Sequence, residues 1–142
     1  DRSLYSQNIT EAKSISLGLE FTNDHKITNL NATWRQKNES TDVLSFPLLD
    51  DKNFMTSQVS PCLELGDIII SITTADKQSK EHKHSLTTEL RWLVSHGLLH
   101  LLGWEHSNPK KLEDMLSLQE RLLSKNVILR DHSCASREIF YA

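Results

Sequence analysis

A chain of 142 residues, 37% hydrophobic and 25% charged, has the size and apolar content of one domain with a single core. No apolar stretch approaches the roughly 20 residues that a bilayer span requires, and the opening DRSLYSQNIT lacks the apolar segment of a signal peptide. A net charge of −3 argues against a general nucleic-acid binder and leaves room for a local basic groove.

One domain is expected over residues 1–142, with residues 1–14 and 126–142 carrying no clear pattern. Ile15, Leu17, Leu19 and Phe21 alternate with Ser16, Gly18 and Glu20, the period of a half-buried strand. Asn23 or Asp24 can cap a helix whose apolar positions are Ile27, Leu30 and Trp34. The stretch TDVLSFP, Thr41 to Pro47, predicts a short strand that Pro47 ends or keeps near an edge. Residues 48–62 predict a loop, and LGDIIISI, Leu65 to Ile72, a buried strand. Thr73 or Thr74 then caps a polar helix reaching about Glu81. Ser85 precedes the main helix, whose stripe is Leu86, Leu90, Leu93, Val94, Gly97, Leu98 and Leu101. Gly103 ends that helix by taking positive φ at no cost. Asn108 and Pro109 open a last helix to about Lys125, with Leu112, Met115, Leu116, Leu122 and Leu123 on its apolar side. The order β-α-β-β-α-α-α predicts an α+β fold, a small mixed β-sheet packed with helices. Cys62 and Cys134 could pair, but nothing else suggests a disulfide framework, and they are read as reduced thiols in a reducing compartment.

The chemistry concentrates in HGLLHLLGWEH, His96 to His106. On a helix, His96 and His100 are offset by about 40° and one turn, so both imidazoles can face one ion. Gly103 lets the chain turn back and return His106 as a third ligand. Three neutral imidazoles with an open fourth position make a catalytic type of zinc site, one ion per chain. A structural zinc, or histidines that only pack, are the plainer alternatives. The spacing is that of the metzincin metalloproteases, except that Gly97 stands where those enzymes carry their glutamate base. His82 and His84 read as solvated, and His25 and His132 have no evident partner. Glu89 lies two turns before His96, about 10 Å along the axis, a remote candidate for holding a ligand imidazole. Glu105 is a candidate proton shuttle or a solvated turn residue, and Thr41, Asp42 and Ser45 are candidate cleft residues or strand caps. Arg35, Lys37, Lys77, Lys80, Lys83 and Arg91 are candidates for a one-sided basic groove or a solvated face.

HGLLHLLGWEH, WRQKNESTDVLSFP (Trp34 to Pro47) and LGDIIIS (Leu65 to Ser71) together resemble the YbeY family, bacterial and organellar metal-dependent endoribonucleases of ribosomal RNA maturation. The resemblance covers roughly residues 15–125. It implies a metzincin-like metal-hydrolase core, zinc on His96, His100 and His106, and a catalytic role for Arg35. Lys37 and Arg91 join Arg35 as substrate-binding candidates. The implied function is single-strand-specific cleavage in 3′-end maturation of small-subunit ribosomal RNA, with a part in ribosome quality control. Implied partners are ribosomal RNA, the small subunit, and ribosomal-protein or GTPase factors, with no membrane. The implied compartment is the cytoplasm, or the stroma or matrix of an organelle. The chain departs from the family in having Trp104-Glu105 for Tyr-Asp before the third histidine. It also has too few residues before Ile15 for the family's usual further strand and helix, so a trimmed or reduced N-terminus is expected. The competing functions are a metalloprotease, a metal-binding assembly factor without nuclease activity, and a hydrolase of small phosphoesters.

Overall fold

The computed structural model describes residues 13–48 and 62–124. They form β1 (Ser14–Thr22), α1 (Asp24–Arg35), β2 (Val43–Pro47), β3 (Cys62–Ser71), α2 (Ile72–Glu81), α3 (Leu86–Leu101) and α4 (Pro109–Leu123), in the order expected. Most of the expected 48–62 loop, and the tail with His132 and Cys134, lie outside the described residues. The sheet has the order β1-β3-β2, with β1 parallel and β2 antiparallel to the central β3. The fold is therefore α+β with a mixed sheet.

Side-chain oxygens of Asn23, Ser85 and Asn108 accept the amides of Lys26, Thr88 and Lys111 at 2.9, 3.1 and 2.9 Å, capping α1, α3 and α4 as their sequences suggest. The cap of α2 is Ser71 rather than Thr73 or Thr74: its Oγ accepts from Thr74 N at 3.3 Å. The physical reason is that β3 runs into α2 with no intervening loop, so the last strand residue is also the first cap.

One sheet face, apolar on β1 and β3 and carrying Val43 and Ser45 on β2, is covered by helices. The β1 register pairs Ile15 with Leu63, Leu19 with Ile68 and Phe21 with Ile70, and it shifts between Ser16 and Gly18. Two β3 residues, Leu65 and Gly66, thus oppose the single Leu17. Gly66 has φ of 128°, and a Cβ there would lie 2.1 Å from the Phe46 carbonyl oxygen, so only glycine fits this bulge. Beyond it the inward positions of β3 change from odd to even, from Leu63 and Leu65 to Ile68 and Ile70. Leu65, Ile68 and Ile70 meet Leu17, Ala75, Leu93 and Leu101 in one buried cluster. The central helix α3 packs against β2, β3, α2 and α4, which explains its apolar composition.

Two expectations fail. Trp34, placed on the apolar side of α1, is 68% exposed. It lies in the last helical turn, edge-on to the Phe46 ring with centroids 6.3 Å apart. Cys62, expected as a reduced thiol, is disulfide-bonded, and the other cysteine lies outside the described residues.

Asp24 ties the start of α1 to the β3–α2 junction. Its Oδ1 accepts from the Ser71 hydroxyl and from Thr74 Oγ1, the latter at 2.6 Å. These bonds hold its carboxyl below the ordinary 3.8 against the raising effect of burial, with lesser help from Ser40 and Lys77. A depressed carboxyl contributes stability above its unfolded value and loses it as pH falls through the folded one. Asp24→Asn is therefore expected to cost about 1 kcal/mol at neutral pH. Denaturant melts at a series of pH values should show that gap closing below pH 3.8; a pH-independent gap would refute the assignment.

Candidate metal centre

The site is built where α3 lies closest to the sheet. A Cβ on Gly97 would stand 2.9 Å from Ile68 Cγ2 and 3.1 Å from Ser45 Oγ. The Ser45 hydroxyl instead donates to the Gly97 carbonyl at 3.2 Å. Gly97 thus faces the sheet, and His96 and His100 are left half-buried on the flank of the helix. The turn after α3 is a Schellman closure: Gly103, at φ of 88°, donates to His100 O at 3.0 Å and Trp104 N to Leu99 O at 2.9 Å. It sends the chain back so that the exposed His106 joins the other two. Ring centroids are 4.7 Å apart for His96 and His100, 5.7 Å for His96 and His106, and 5.2 Å for His100 and His106. One nitrogen from each ring lies within 4.8 Å of the others, so the cluster can hold a metal ion.

The hydrogen bonds around the rings say which nitrogens face that ion. His100 Nδ1 lies 2.9 Å from Trp104 O, a carbonyl that only accepts, so Nδ1 carries the proton. His96 Nδ1 lies 3.4 Å from Gln119 Oε1. The Gln119 amide is oriented by its NH2, which donates to Trp92 O at 2.8 Å and Ser95 Oγ at 3.1 Å, so its oxygen accepts from His96 as well. Both rings then present bare Nε2 atoms, and these stand 3.1 Å apart. Two lone pairs facing at that distance repel unless a cation lies between them. Burial, before any other cause, lowers the proton affinity of both rings; the hydrogen bonds to Gln119 and Trp104, and Asp42 at His96, oppose it without cancelling it, and the neighbouring histidines, with Arg35 at His100, lower it further. The cation that suits the site is therefore a metal rather than a proton. Three imidazole nitrogens gathered in this way are a donor set that zinc and similar borderline divalent ions take.

The other candidates are distributed unevenly. Arg35 reaches the site region: its Nη2 donates to Ser45 O at 3.1 Å, and its charge is felt at His100. Lys37 is exposed just past the end of α1. Arg91 donates to Leu123 O at 3.2 Å, at the C-terminal end of α4. Lys80 pairs with Asp76 at 2.7 Å, and Glu105 with Lys111. Asp42 caps β2 through Val43 N at 2.8 Å, and its charge still acts on His96. Glu89 holds no ligand imidazole; it is buried against His82 and His84, which are thereby partnered rather than simply solvated. Gln119 was not among the candidates. A signal for it existed, since it sits between Met115 and Leu122 on the apolar side of α4 and is fully buried, and a polar side chain there needs partners.

A family model described as Endoribonuclease YbeY matches residues 3–127. Proteins named Endoribonuclease YbeY from Prochlorococcus marinus (strain MIT 9313) and Parasynechococcus marenigrum (strain WH8102) are each 57% identical, over 118 and 125 residues. The matches cover 83% and 87% of this chain, which spans 62% and 66% of the length of those two relatives. The solution structure of a Thermotoga maritima protein matches with a TM-score of 0.51 at 22% identity, over 84% of this chain and 71% of that one, a likeness of fold.

Gln119→Leu keeps volume in the α3–α4 contact while removing the acceptor that orients His96. Zinc affinity, read by competition with a chromogenic chelator, should fall about 10–100-fold. Unchanged affinity would show that the amide does not orient the ring.

Proposed function

The chain belongs to the Endoribonuclease YbeY family, and on that premise we infer that it is a zinc-dependent endoribonuclease acting on single-stranded RNA in the 3′-end maturation and quality control of the small ribosomal subunit. The observation that carries this reading is the pair of bare Nε2 atoms 3.1 Å apart on His96 and His100, with His106 beside them. Those three residues would hold the ion. When bound, zinc supplies Lewis-acid polarisation of a phosphoryl oxygen and activation of a nucleophile near neutral pH.

The chain's own residues do the rest. Trp104 O and Gln119 Oε1 keep the Nδ1 protons in place and the Nε2 atoms free. Arg35 spends one N–H on Ser45 O, which holds its planar fork beside His100, and the remaining donors suit the non-bridging oxygens of a phosphodiester. Lys37 and Arg91 are proposed to contact the strand backbone further out, where each contact adds salt-dependent affinity. Phosphodiester cleavage asks for charge stabilisation more than for a strong protein base, in keeping with Gly97. A glutamate at that position would be driven into Ile68 and Ser45, which weighs against a peptidase. A metzincin-like core is part of the proposal and is supported by the spacing of His96, His100, Gly103 and His106. The proposed setting is the cytoplasm, or an organelle's stroma or matrix, with ribosomal RNA and the small subunit as partners and ribosomal-protein or GTPase factors alongside. No helix among the described residues is long and apolar enough to cross a membrane.

The test combines metal content with cleavage of a single-stranded ribosomal RNA fragment. His100→Ala should lose zinc at this centre and cleavage together. Arg35→Lys should keep the zinc and lose about 10²–10³-fold in rate, the usual cost of one oriented charge-stabilising donor. Full cleavage by His100→Ala would sink the metal-dependent reading. Zinc without cleavage in the wild type would leave an assembly factor.

A further inference from the structure

A second group of side chains able to hold a metal ion lies at the other end of α3. Glu89, in the first turn, has a side chain only 2% exposed. Its Oε2 faces His82 Nδ1 at 3.1 Å and also contacts His84 Nε2. No lysine or arginine pairs with Glu89 among the described residues, so this buried carboxylate has only two imidazoles to offset its charge. A carboxylate so buried is costly without a cation.

The backbone preorganises the group. His82 closes α2, its N–H donating to Gln78 O at 2.8 Å. Lys83 takes a left-handed φ of 57°, and His84 N returns to Ser79 O at 3.1 Å. That reversal puts both rings on the same side, centroids 5.4 Å apart, over the carboxylate. One ligand atom from each of His82, His84 and Glu89 lies within 4.8 Å of the others. The His82 side chain is 57% exposed and that of His84 32%, so an ion has a path in from solvent and room for water on its outer side. Two imidazoles and one carboxylate favour a borderline divalent transition ion over calcium or magnesium, which prefer all-oxygen shells.

We propose that His82, His84 and Glu89 form a second site for zinc or a similar divalent transition ion, a clasp that pins the end of α2 to the start of α3. It is not half of a two-metal centre. Glu89 and His96 are seven residues apart, about 10 Å along the helix, whereas paired catalytic metals sit about 3.5–4 Å apart. The clasp therefore acts on the α2–α3 junction and not on the reaction.

Equilibrium dialysis of the full chain against zinc, and against cobalt with its visible absorption as readout, distinguishes the sites. The wild type should take up two ions, and His82→Ala and His100→Ala one each. Zinc should raise the melting temperature of His100→Ala but not of His82→Ala/His100→Ala. His82 is exposed, so its replacement leaves the fold intact, while Glu89→Gln serves as a second variant that removes the charge. One ion in the wild type that disappears in His100→Ala, or two ions retained in His82→Ala, would overturn the clasp and leave plain histidine–carboxylate hydrogen bonds.

Discussion

Ile68 and Ser45 press against α3 where residue 97 carries only a hydrogen, and this contact sets where every histidine on the helix points. A larger side chain would hold α3 off the sheet, break the bond from Ser45 to the Gly97 carbonyl, and move the flank that carries His96 and His100. The same contact keeps β2 under the helix, and through Ser45 O it fixes the place of Arg35. Packing and site geometry are one constraint here, since close-packed interiors transmit a displaced methyl group as a shift of the backbone.

From that position the hydrogen-bond wiring decides the chemistry. The Schellman turn at Gly103 does more than end a helix. It fixes the Trp104 carbonyl over His100 Nδ1, so the turn that returns His106 also sets the tautomer of its neighbour. Gln119 performs the same service for His96 from another helix, and its own amide is held by Trp92 and Ser95. Metal-ligating imidazoles are generally fixed in this way by the partner of their other nitrogen. Substituting a ligand and substituting its holder should accordingly differ in degree rather than in kind.

Much of this was legible in the sequence because it rests on local signals. The element order, three of the four helix caps and the histidine spacing follow from side-chain types a few residues apart. The cap of α2 was misplaced because Ser71 reads as the end of a strand. Trp34 reads as an apolar-face residue because helical periodicity does not say how tightly the last turn of a helix closes on the sheet, and there the ring stays exposed beside an open pocket. Gln119 shows in the sequence only as a polar residue on the apolar side of α4; its role depends on α4 crossing α3, a contact between residues more than twenty positions apart. Glu89 fell between the two cases. Helical rise alone separates it from His96, but only the tertiary turn at Lys83 reveals that its partners are His82 and His84.

The bulge at Gly66 divides β3 into two stretches that are out of phase. Ahead of it, odd positions face the core, and beyond it, even ones do. β2 pairs only from Gly66 onward, while β1 bridges both stretches. The strand thus behaves as two half-strands spliced through one residue, and the splice determines how length changes in this segment are tolerated. Loss of the residue at 66 alone would turn Ile68 and Ile70 towards the opposite face and empty the space beneath α3. A compensating insertion a few positions earlier would restore their phase and leave only the short stretch between to be re-accommodated. Natural variation in length should therefore accumulate before the splice, where β1 is the partner strand among the described residues, and not after it, where the strand supports the helix that carries the histidines.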